Sequence, residues 1–228
     1  MMMNEEMRTR FEWLYNKPDP YQTESRFFER SRLANAFALL PSSRRFHSAV
    51  DLGCGEGEFT LMLPTVAEQV IGIDFVPVAI ERAKAKCSRH QVRFEVGRWD
   101  RFLETSEPVE LITCNVALEY IDDKRQALRT IARALQPDGL FLLVGAMGKK
   151  WGYYDYDDWL MWVSSEFRIV RTAIVSPVLR GQSIVNHPWC FLKQPIYAGA
   201  IRLATLLPRH FCRHLGMLCR LKGTAAGE

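Results

Sequence analysis

Between Val50 and Val144 short apolar runs alternate with segments whose apolar residues recur at helical spacing. The runs are Ala49–Leu52, Val70–Ile73, Val92–Val96, Leu111–Cys114 and Leu140–Val144, and they predict five parallel strands. The segments 77–85 and 124–135 read as amphipathic helices, and a parallel sheet needs helices on both faces, so the expected class is a doubly wound α/β fold. Pro137-Asp138-Gly139 marks a turn before the fifth strand. Phe167–Val175 and Ser183–Asn186 with Trp189–Leu192 are two further candidate strands, giving a mostly parallel seven-stranded sheet. Residues 1–45 read as a helical cap, 46–194 as the core, and 195–228 as a helical tail, apolar over 196–207 and basic over 209–222.

A chain of 228 residues with 48% hydrophobic content buries one substantial core without staples. Its six cysteines are scattered, which favours reduced thiols and a cytoplasmic setting over a disulfide framework. The N-terminus lacks an apolar leader, and no stretch reaches the ~20 apolar residues of a membrane span. Charge is uneven: from Phe167 onward nine Lys/Arg face one acid, Glu228. A basic, apolar tail of that kind suits peripheral contact at the inner face of a membrane, or equally a partner helix, a dimer face or a lid. Oligomeric state stays open.

The first strand ends in Val50-Asp51-Leu52-Gly53-Cys54-Gly55-Glu56-Gly57, with a helix expected from about Phe59. Such a turn lets the backbone approach a ligand where side chains would collide. Asp74 ends the second strand, 23 residues after Asp51, where a carboxylate accepts ribose hydroxyls, so a nucleoside ligand is expected. A dinucleotide fingerprint begun at Gly53 requires glycine at 58, and Glu58 stands there. The strings VDLGCGEGEFT and VIGIDF, followed by 110–121 and 135–140, resemble the ordered motifs of class I S-adenosylmethionine (SAM) methyltransferases, which implies a Rossmann-like core. The resemblance implies SAM as cofactor and S-adenosylhomocysteine (SAH) as product. It also implies a cofactor set of Asp51, Gly53, Cys54, Gly55, Asp74, Phe75 and Asn115, with Asp51 orienting the loop and the amino-acid end. The family's adenine-binding acid falls by ungapped counting on Arg98, and Asp100 is the expected acceptor, with Trp99 stacking nearby or packing in the core.

Asp19-Pro20-Tyr21 and Ser25–Arg32 resemble a segment of the nodulation-type N-methyltransferases that act on deacetylated chitooligosaccharides. The likeness implies that Tyr21, in place of a tryptophan, and Arg32, opposite the SAM carboxylate, belong to the cofactor site; an ordinary helix arginine is the competing account of Arg32. Residues 112–121 are also similar to quinone-biosynthesis O-methyltransferases, but Val116 and Tyr120 replace the glutamate and histidine that hold a divalent metal there. His210-x-Cys212-x-His214 lacks a fourth ligand, so no metal is expected.

Methyl transfer from a sulfonium needs chiefly alignment and exclusion of water. Glu119 and Tyr120, just past the fourth strand, are the candidate catalytic residues for orienting or deprotonating the acceptor, with His187 a third. In the aromatic stretch 151–162, Trp151, Tyr153 and Tyr154 are the expected substrate wall, whereas Trp159 and Trp162 carry core spacing. The expected enzyme moves a methyl group to nitrogen or oxygen of a small molecule, sugar or glycan, lipid-linked acceptors included. A SAM-binding sensor or scaffold is the alternative. A nucleic-acid methyltransferase is disfavoured, because Asn115-Val116-Ala117-Leu118 stands where an N/D-P-P-Y-type loop belongs.

Overall fold

The structure, a computed structural model, describes residues 5–21, 27–148, 153–177 and 212–223. Helices α1 (Glu5–Leu14) and α2 (Phe27–Phe37) precede β1 (Phe46–Leu52), β2 (Ala67–Asp74), α3 (Pro77–Lys86), β3 (Val92–Val96), α4 (Trp99–Thr105), β4 (Val109–Asn115), α5 (Lys124–Ala134) and β5 (Leu135–Ala146). The chain continues through α6 (Tyr156–Glu166), β6 (Phe167–Pro177) and β7 (Cys212–Leu221). Sheet order is β3-β2-β1-β4-β5-β7-β6, with the β1–β5 pairings parallel and β7 antiparallel to both neighbours.

Period-two alternation along the strands builds two cores. Val50, Leu52, Ile112, Cys114, Phe141 and Leu143 face one side, where they meet Leu128 and Ile131 of α5 and Trp159 and Val163 of α6. Ala49, Leu111, Leu140, Leu142 and Val144 face the other, against Leu33, Ala36 and Leu39. Each buried Leu- or Phe-sized side chain contributes roughly 1.5–3 kcal/mol. α5 starts where the Asp123 carboxylate accepts from the Gln126 N–H at 2.9 Å. Trp159, 1% exposed, anchors α6 as its spacing suggested, and its Nε1 donates to the Ala146 carbonyl at 3.2 Å. Gly145 makes room for that ring, since a Cβ there would lie 2.7 Å from Trp159 Cε2. Gly145→Ala is therefore expected to cost about 1–3 kcal/mol by overpacking, read as a lowered thermal midpoint. An unchanged midpoint would mean that α6 shifts freely.

Three expectations are corrected. Residues 212–221, expected within a basic helix, form β7, an interior strand between β5 and the edge strand β6, with Leu215, Met217, Leu218 and Cys219 buried. The run has no Val, Ile or Thr and many good helix formers, so local propensity favours a helix, but pairing on both edges outweighs it. Those apolar residues serve the core and offer no face to a membrane. The helix expected from Phe59 is a 3-10 turn, Thr60–Thr65, containing Pro64. The turn at Pro137–Gly139 is absorbed into β5 as a register irregularity opposite Val109 and Leu111. The strand candidates at 183–192 and the helix at 196–207 lie outside the described residues. Among the described residues no helix is long and apolar enough to cross a membrane.

Candidate cofactor and acceptor site

A cavity of about 380 Å³ opens at the carboxyl ends of the parallel strands. The glycine loop forms its floor. Asp51 is 1% exposed, and its two carboxylate oxygens accept from Thr113 Oγ1 at 2.7 Å and Thr60 Oγ1 at 2.6 Å, tying β1 to β4 and to the 3-10 turn. Burial pushes this carboxyl up to about 6 against the pull of both hydroxyls. Gly53 and Gly55 have φ of 67° and 56°, and added Cβ atoms would lie 2.5 Å from Ala117 Cβ and 2.6 Å from Tyr15 Oη. Only glycine fits both the conformation and the space.

Asp74 accepts from the backbone N–H of Gly55 at 2.9 Å and of Val76 at 3.0 Å. Burial raises its pKa, opposed by those N–H groups. Beside it, Asp100 at the start of α4 receives the Arg98 guanidinium in two hydrogen bonds, 2.6 and 3.1 Å. Burial pulls the Asp100 carboxyl upward, but the guanidinium prevails and leaves it below its ordinary value. Trp99 both lines the cavity and packs in the core.

Elsewhere on the wall, Arg32 is 7% exposed and donates to Glu29 at 2.9 Å and, through Nη1, to Asn115 Oδ1. Asn115 Nδ2 is buried without a hydrogen-bond partner. An orphaned amide donor beside a guanidinium matches the donor set that an amino-acid carboxylate requires. Val116, next in the chain, has φ 58°, a strained conformation for a β-branched residue, and Ala117 and Tyr120 after it line the cavity.

The roof comes from the N-terminal segment, within the helical cap expected at residues 1–45, where the sequence singled out Asp19-Pro20-Tyr21. Glu56, 4% exposed, accepts from the Asp19 N–H at 3.2 Å, from Arg82 at 2.9 Å and from Lys86 at 2.9 Å, and so pins that segment to the loop and to α3. Phe11 meets Phe75 and Tyr120 edge to face at 5.5 and 4.8 Å, and Tyr15 meets Tyr21 at 6.0 Å. Phe11 on α1 and Tyr15 just past its end stand four residues apart, a spacing that could have flagged them.

All eleven residues expected at the cofactor line this cavity: Tyr21, Arg32, Asp51, Gly53, Cys54, Gly55, Asp74, Phe75, Trp99, Asp100 and Asn115. Tyr120 and Tyr153 line it too. Glu119 does not. It is buried with Oε1 accepting from the Ala146 N–H, and Oε2 has no partner. Burial pushes its carboxyl up to about 7. Tyr154 turns away as well, edge-on to Trp159 and Trp162 at 5.7 and 4.8 Å with Lys124 Nζ 4.3 Å above its ring. Trp151 and His187 lie outside the described residues. Arg213 and His214, at the start of β7, join the lining unforeseen, because the strand itself was read as a helix.

Residues 49–139 match the family model described as a methyltransferase domain. Over those residues the chain carries a methyltransferase domain. SAM is the cofactor of this domain and SAH its product. Similar proteins include an uncharacterized methyltransferase, YcgJ, of Bacillus subtilis, 32% identical over 44% of this chain and 41% of that protein. Nodulation protein S of Bradyrhizobium diazoefficiens is 27% identical over 59% of this chain and 68% of the relative. The match therefore spans under half of the Bacillus protein and about two thirds of the Bradyrhizobium one. The crystal structure of the N-methyltransferase NodS from Bradyrhizobium japonicum WM9 with SAH superposes with a TM-score of 0.71 at 20% identity, covering 94% of this chain and 97% of that one. The chain shares that fold.

Proposed function

We propose that the chain transfers the SAM methyl group to an amine nitrogen of a small, hydroxyl-bearing acceptor of the amino-sugar kind. The observation that carries this reading is a cluster of phenols at the cavity wall, Tyr120 and Tyr153 beside Tyr21, the last also among the residues expected at the cofactor. Burial, then the proximity of Tyr153 and Glu119, raises Tyr120 to about 12, and burial also raises Tyr21. The phenols thus stay neutral, offering hydroxyls to hydrogen-bond and ring faces that attract an ammonium or methylammonium. In the same reading Asp74 holds the ribose, Asp100 the adenine amine, and Arg32 with Asn115 the carboxylate. When bound, the sulfonium supplies an activated methyl: the amine lone pair forms the N–C bond, the C–S electron pair returns to sulfur, and the product ammonium releases its proton to solvent. A hydroxyl acceptor needs a base in contact with it, and Glu119 is turned into the core, which favours nitrogen over oxygen. The N-methyltransferase of like fold supports the same choice.

The test is incubation of the full chain with isotope-labelled SAM and paired acceptors, glucosamine and deacetylated chitooligosaccharides against glucose and ethanolamine against ethylene glycol, followed by mass spectrometry. Label is expected in the amines alone. Equal labelling of the hydroxyl analogues, or none in any amine despite SAM binding, removes the reading.

A further inference from the structure

His214 has no part in the cofactor assignments, yet its surroundings are those of a ligand-contacting group. It lies at the start of β7, its Cα paired with Ala146 at the carboxyl end of β5. It is 8% exposed and lines the cavity. Its Nδ1 finds no hydrogen-bond partner. A buried ring nitrogen left without a partner is costly, and an apolar residue would serve the core better, so a ligand is the natural complement.

Its position along the sheet says which part of the ligand. The cofactor residues run across adjacent strand ends, from Asp74 on β2 through Gly53 after β1 to Asn115 on β4. His214 continues that line beyond β5, four strand spacings or about 19 Å from β2. The nucleoside belongs at one end and the methionine carboxylate at Arg32 and Asn115, so the space beyond β5 is left for the acceptor. We propose that the His214 imidazole accepts a hydrogen bond from the nitrogen that receives the methyl group and orients its lone pair. This rests on the amine reading above. The imidazole suits the task because it stays uncharged: burial first, then Arg32 and Arg213, holds its pKa well below the usual histidine value. An uncharged ring attracts an N–H, whereas an imidazolium would repel an ammonium.

Sinefungin tests this without an acceptor, since it carries an amine on carbon where SAM carries the sulfonium methyl. Calorimetric affinities of sinefungin and SAH are compared for the wild type and His214→Phe. The phenylalanine is expected to keep SAH affinity within about twofold and to lower the sinefungin-to-SAH affinity ratio about tenfold. His214→Gln, an acceptor again, is expected to restore part of that ratio. A ratio unchanged in His214→Phe overturns the proposal, as does equal loss of both ligands, which would make the residue merely structural. Should His214→Phe not fold, nitrogen-15 histidine spectra of the wild type decide: a His214 ring nitrogen that shifts with sinefungin and not with SAH supports the contact, and identical spectra overturn it. If the ratio responds but no amine is ever methylated, the contact stands and the amine reading falls.

Discussion

Asp74→Ala is expected to weaken SAH and SAM binding at least about 100-fold while the chain remains folded. The carboxylate has about four lone-pair sites, and the N–H groups of Gly55 and Val76 take two of them. In the proposed reading the remaining lone pairs accept the ribose diol. Each charge-assisted bond to the sugar contributes roughly 1.5–3 kcal/mol, and two exceed the roughly 2.7 kcal/mol that a factor of 100 requires. Truncation also frees the Gly55 N–H, so the loop loses an anchor at the point where φ is 56°. Asp74→Asn retains one acceptor oxygen and turns the other into a donor, and about a tenfold loss is expected there. Calorimetry with SAH measures both. An alanine variant within threefold of the wild type would mean that the ribose is held elsewhere, whatever the loop resembles.

The cofactor half of the site was legible because its chemistry is local. Asp51, Gly53, Gly55 and Asp74 lie on consecutive strand ends, and a steric requirement for glycine shows in sequence as glycine. The rest of the cavity wall was legible only at Tyr120 and Tyr153, because it is assembled from distant segments. Tyr15 and Glu56 matter through a fold-back of the N-terminal segment that no local pattern encodes. His214 sits on a strand whose composition favours a helix, and it becomes a strand only because β5 and β6 offer a pairing slot. Gly216 at its centre reflects the same crowding, since a Cβ there would lie 2.4 Å from Leu39 Cδ1. Glu119 and Tyr120 show the limit most sharply. They are adjacent in sequence in a short 3-10 turn that points one into the core and the other into the cavity.

That separation makes Glu119→Gln a decisive variant. In the folded chain burial raises this carboxyl from 4.5 to about 7. Between those values the folded state holds a proton that the unfolded state has released, so stability falls as pH rises. The contribution is fully present below about pH 4.5 and lost by about pH 7, amounting to about 3 kcal/mol at most. Glutamine keeps a carbonyl oxygen for the Ala146 N–H and has no proton to lose. At pH 8 the variant is expected to melt about 6–12 °C above the wild type, and the gap is expected to close toward pH 5. Asp51, raised to about 6, loses stability in the same direction in both proteins, so the difference between them isolates Glu119. A gap independent of pH would refute the assignment. Methyl transfer supplies the second readout. A general base would contribute roughly 100- to 10,000-fold, but a carboxylate shut behind the cavity wall contributes nothing to the acceptor directly. The rate for Glu119→Gln is therefore expected within about threefold of the wild type, while Tyr120→Phe, which loses a hydroxyl on the cavity side, slows transfer about tenfold.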